Sequence, residues 1–160
     1  MPSTADKWLE LFTQWTEINN SVKDVLSVMP PFEESKEKMG MVFQSLEGQT
    51  QLLLSRYQDL KDGIGDAPPA FYEKDLNIRY QPIKVAADAL VGDTRSANLM
   101  IGSYREEVAE ADFADPGAVD NIKIQYDMAK TQIDALLSRG EPLRDLGRGV
   151  KIKLKKMRKG

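Results

Sequence analysis

The sequence contains no cysteine and no histidine in 160 residues. Without cysteine there is no disulfide framework, no thiolate nucleophile and no Cys/His zinc site. Without histidine there is no Ser-His-Asp triad, and a di-iron bundle built on Glu-x-x-His pairs is excluded as well. Long apolar runs are missing too: "LLL" at residues 52–54 falls far short of the roughly 18 to 20 residues a bilayer crossing needs. The opening "MPSTADKW" lacks a basic segment followed by an apolar stretch, so no secretory signal is expected. A cysteine-free chain fits a reducing cytoplasm, and no cofactor or metal is expected. What is present is ordinary globular material, 41% hydrophobic and 29% charged, enough for one domain with a core of its own.

Four segments carry helical periodicity. The first runs from about Ala5 to Val28, with Trp8, Leu11, Trp15, Ile18, Val22, Val25 and Met29 recurring at steps of three and four, the spacing of one helix face. Ser3 or Thr4 suits its cap, and Pro30 and Pro31 end it. A second segment extends from near Phe32 to about Asp62 on the seam Met39, Phe43, Leu46, Thr50, Leu53, Tyr57, Leu60 and Ile64, with Gly63 and Gly65 as the expected stop. A third, about Ala70 to Ala111, carries the seam from Leu76 to Val108. Pro82 and Gly92 predict a kink there or a division into two helices. Asp115 and Pro116 then read as a cap and first helical residue. A fourth seam runs from Val119 to Met157 through Pro142 and several glycines. Only "VKIKLK" and, more weakly, "NIKIQY" match a strand pattern, and a sheet needs partners. The expectation is an all-α fold: an elongated antiparallel bundle of three to four long helices with coiled-coil-like packing. It divides into a bundle over 1–147 and, over 148–160, the basic end of the last helix or a flexible tail.

Trp8, Trp15, Leu53, Tyr57, Ile133 and Leu136 are the expected core anchors, because each falls on a seam with aliphatic residues. Carboxylate clusters such as "FEESKE" and "YREEVAEAD" have the spacing of solvated faces and helix starts, not the alternating oxygen ligands of a calcium loop. "GIGD" lacks the third glycine and preceding strand of a dinucleotide fingerprint. The chemically distinctive stretch is "RGVKIKLKKMRKG". Arg148, Lys151, Lys153, Lys155, Lys156, Arg158 and Lys159 place seven cations there with no acid, so a net charge of −3 for the chain leaves −10 for residues 1–147. Three readings are open: a helix C-terminus whose cations complement the dipole, a contact for an anionic partner such as a membrane surface, or a disordered tail. The acidic body repels polyanions, which argues against broad nucleic-acid binding.

Three stretches resemble the spectrin-repeat class of helical rod modules. "LFTQWTEINNSV" places a tryptophan mid-helix on the core seam. "LLLSRYQDLKD" is similar to the family's later helix, with Tyr57 at its aromatic position. "YDMAKTQIDALLSRGEPL" resembles the middle helix, with Gly140 followed by Leu143. Such repeats are three-helix bundles shorter than this chain, so the four segments here span parts of two repeats or form an independent four-helix bundle. The resemblance implies a cytoskeletal or scaffold role, a spacer or partner surface without an active site. The expected function is thus a non-enzymatic structural module that binds other proteins, the alternative being a bundle docked on anionic lipid through its basic end.

Overall fold

The computed structural model describes residues 4–159; residues 1–3 and 160, and the side chains of residues 4, 5, 15, 158 and 159, lie outside the described residues. The expected cap at Ser3 or Thr4 and the core role of Trp15 fall there. Four long helices follow one another: α1 (Thr4–Ser27), α2 (Lys36–Asp66), α3 (Tyr80–Glu110) and α4 (Pro116–Lys159), with a short π-helical segment, Phe71–Asp75, between α2 and α3. No strand occurs among the described residues, and none of their helices is long and apolar enough to cross a membrane.

α1 packs on α2 and α4, and α3 packs on the same two helices, most extensively on α2. Short connections between long helices make neighbours antiparallel, and the α1–α4 pair shows it directly. Gly147 lies beside Phe12 and Trp8, whereas the Tyr126 hydroxyl donates to the Pro30 carbonyl at the other end. The 44 residues of α4 make a rod of about 66 Å at 1.5 Å per residue.

The helix boundaries follow from local chemistry. α2 starts at Lys36, later than the sequence pattern suggests, because the extended Ser35 accepts a hydrogen bond from the Lys38 amide at 3.2 Å. Asp115 caps α4 through the Gly117 amide at 3.0 Å, ahead of Pro116. The third segment does divide into two helical pieces, Phe71–Asp75 and α3, but the division falls before Tyr80: α3 is continuous to Glu110, so neither Pro82 nor Gly92 is the break. Pro82 is the third helical residue, where its missing amide has no intrahelical acceptor to lose. The interruption comes earlier, where Asn77 adopts a left-handed φ of 54°, a conformation asparagine tolerates better than most residues.

Gly63 and Gly65 do not stop α2, which continues to Asp66. Gly63 instead admits a close neighbour, since a Cβ there would come within 2.6 Å of Leu11. Gly147 does the same on α4, where a Cβ would lie 2.9 Å from the Phe12 ring, while Gly149 has nothing within 4 Å. α1 thus approaches both neighbours over glycines at one end. Gly149→Ala is expected to stabilise the fold by about 0.5 to 1 kcal/mol through helix propensity. Gly147→Ala is expected to destabilise it by about 1 kcal/mol, because displacing a packed ring outweighs the same gain. Urea midpoints of the two variants should move in opposite directions.

α4 shows no break at 147. Val150 and Leu154 are fully buried, and the core seam ends there because Met157 is 52% exposed.

Candidate functional site

Two networks of hydrogen-bonded polar side chains join helices. At the α1 N-terminal end, Tyr72 is fully buried. Its hydroxyl accepts from Trp8 Nε1 at 2.8 Å and donates to the Ile64 carbonyl at 2.6 Å. Ile64 lies in the last turn of α2, where carbonyls have no intrahelical donor, so the phenol completes that helix end. Burial pushes the Tyr72 phenol up to about 12, with the Trp8 hydrogen bond opposing. Burial also raises Tyr57. Between α2 and α3, Asn98 Nδ2 donates to the Glu47 carbonyl and to Thr50 Oγ1, both at 2.9 Å. Arg105 pairs with Glu47 at 2.9 Å. The buried Thr50 and Thr94 hydroxyls return to carbonyls one turn back. These groups set register.

A recess of about 460 Å³ where α2 ends and α3 begins is lined by Lys61, Asp62, Asp66, Tyr80, Lys84 and Asp88. Its two cations and three carboxylates nearly balance, and Lys61 stands 3.4 Å from Asp88. No group of three or more carboxylates among the described residues is placed to hold a metal ion.

The α1–α2 seam is open at several points. Three openings of about 250, 220 and 210 Å³ follow one another along it, from Gln14, Glu17, Arg56 and Asp59 to Val28, Met29 and Met41. Each is smaller than the roughly 300 to 1,000 Å³ of a small-molecule pocket, so together they form an open groove. Val28, Met41 and Leu52 stand beside it, 70%, 64% and 55% exposed.

No family model, curated protein or solved structure matches the chain. The spectrin-repeat resemblance therefore rests on the sequence patterns alone.

Of the residues singled out from sequence, Trp8, Leu53, Tyr57, Ile133 and Leu136 are all buried. They are distributed along the bundle and do not form one site. Arg148, Lys155 and Lys156 are exposed, and Lys151 and Lys153 are half-buried. Lys151 Nζ lies 5.0 Å from the centre of the Phe12 ring, and Lys153 Nζ donates to the Asn77 carbonyl at 3.1 Å. Arg158 and Lys159 have side chains outside the described residues. Sequence reasoning missed Tyr72, although it lies four residues before Leu76, the first position of the third seam. It also missed Asn98 and Arg105, whose partners sit about fifty residues away in α2.

Proposed function

We propose that the chain is a non-enzymatic interaction module, a helical scaffold that presents side chains to a protein partner. The observation that carries this reading is a division of labour. The polar groups of the Trp8–Tyr72 and Asn98–Thr50 networks link helix to helix, while unpaired charges and exposed apolar residues lie along an open inter-helix groove. A cytoskeletal partner is what the spectrin-repeat resemblance implies, and a cytoplasmic setting fits the absence of cysteine. The test is affinity capture with the wild type and with folded variants at four separate faces: Leu52→Lys, Leu99→Lys, Ile124→Lys and Ile152→Glu. A stoichiometric partner lost from at least one variant is expected, and none on any face would refute the reading.

A second reading is favoured by one feature of the basic end. Ile152, 50% exposed, projects among Arg148, Lys151, Lys155 and Lys156, the pattern of a surface that docks on anionic lipid. Co-sedimentation with phosphatidylserine vesicles at low salt should then fall on adding salt and in Lys155→Glu/Lys156→Glu. Absence of sedimentation with these vesicles at low salt removes this reading.

A further inference from the structure

Resting on the reading as an interaction module, we propose that the α1–α2 groove is the docking site for an amphipathic partner helix of about four turns that carries lysine or arginine beside its apolar stripe. The first ground is how α2, α3 and α4 are joined to one another. α2 and α3 are joined by Asn98 to Thr50, Arg105 to Glu47 and Lys61 to Asp88. α3 and α4 are joined by Arg139 to Asp93 at 3.0 Å. Among the described residues no side-chain hydrogen bond or ion pair passes directly from α1 to α2; the polar link between them is the Tyr72 hydroxyl, which accepts from Trp8 and donates to the Ile64 carbonyl at the end of the seam away from Val28.

The second ground is the groove's chemistry. Its apolar end, between Val28, Met41 and Leu52, offers seats for aliphatic side chains. Its remaining length is lined by Glu17, Asp24 and Asp59 against a single cation, Arg56. None of these four is in an ion pair among the described residues. Glu10 and Glu17 precede Asp24 at intervals of seven, so the α1 edge carries acids at every second turn and no cation at those positions. From Gln14 to Val28 the groove runs about 21 Å at 1.5 Å per residue, which sets the length of the partner helix.

The charges select among occupants. A second copy packed through the same groove by a two-fold axis brings each acidic edge to the other copy's acidic groove, whereas a basic helix neutralises it. Apolar anchors seated in a groove with flanking charge recognition is a recurrent way of binding a helix.

The probe is a fluorescent helical peptide of about 16 residues with leucines at three-four spacing and lysines flanking them. Its control is the same peptide with glutamates for the lysines, both followed by anisotropy. The lysine peptide is expected to bind at least about tenfold more tightly than its control. Leu52→Asp and Asp24→Lys, each checked for an unchanged melting temperature, should each weaken it by about tenfold, while Leu99→Asp and Lys155→Glu should not. Equal binding of the two peptides, binding unaffected by both groove variants, or no binding overturns the proposal. So does a wild-type dimer that Leu52→Asp dissociates, because the groove would then hold a second copy. A captured partner that persists on Leu52→Lys and is lost from another face removes the groove while leaving the module standing; no capture on any face removes the module itself.

Discussion

Tyr72→Ala is expected to lower the unfolding free energy by about 3 to 5 kcal/mol, the range for truncating a large buried aromatic. The ring is fully buried. It meets Trp8 edge-on at 6.3 Å, Phe71 at 5.4 Å and Tyr80 at 4.9 Å between centroids. Tyr72→Phe keeps that packing and removes only the hydroxyl, and it should still cost about 1 to 3 kcal/mol because Trp8 Nε1 and the Ile64 carbonyl lose their partner together. Urea midpoints separate the two contributions, and a midpoint for Tyr72→Phe equal to wild type would refute the hydrogen-bonded part. The same hydroxyl gives an alkaline signature. The native phenol is raised to about 12 from the ordinary 10.0, so above pH 10 the unfolded chain loses its proton first. Fewer protons bound in the unfolded state means stability falls as pH rises. The contribution is therefore intact below pH 10 and lost progressively toward pH 12. Tyr72→Phe should flatten that part of the profile, leaving the decline from the other buried tyrosines.

The fold was legible where the apolar repeat is unbroken. The seams Met39 to Ile64 and Val119 to Leu154 correspond to buried residues almost one for one, since three-four spacing is itself the condition for burying one helix face. Asp115 and the proline pair at 30 and 31 marked connections correctly. Sequence reasoning erred where one residue type has two physical uses. Proline breaks a helix interior but is tolerated in a first turn, and only the start of α3 at Tyr80 tells which applies to Pro82. Glycine ends helices but also permits close approach, and the Leu11 side chain that makes Gly63 a contact residue comes from another helix. The candidate groove was less legible still. Val28, Met41 and Leu52 read individually as scattered apolar residues, and their shared edge exists only once α1 lies against α2. The unpaired state of Glu17, Asp24 and Asp59 likewise depends on which charges the fold brings near them.

Deleting residues 148–160 is expected to be at least as disruptive as loss of the Tyr72 ring, because this basic end is part of the core. It would remove Val150 and Leu154, both fully buried. At about 1.5 to 3 kcal/mol for each buried aliphatic side chain, the loss is roughly 3 to 6 kcal/mol. It would also strip the Lys151 contact from Phe12 and the Lys153 hydrogen bond from Asn77. Set against a typical total of about 5 to 15 kcal/mol, that removes a large share of the stability and unfolds a protein at the low end of the range. Leu154→Ala alone should cost about 2 to 5 kcal/mol. Lys155→Gln and Lys156→Gln, at exposed positions, should change stability by less than about 0.5 kcal/mol. Amide exchange tests the same point without mutation: protection at Val150 and Leu154 should approach that at Ile133, since opening them requires opening the bundle. Fast exchange there, or a truncated chain with the wild-type melting temperature, would make the segment a dispensable tail. The consequence reaches the lipid reading too. Loss of vesicle binding on truncation would follow from unfolding alone, so charge reversal at Lys155 and Lys156 is the substitution that isolates the surface from the fold.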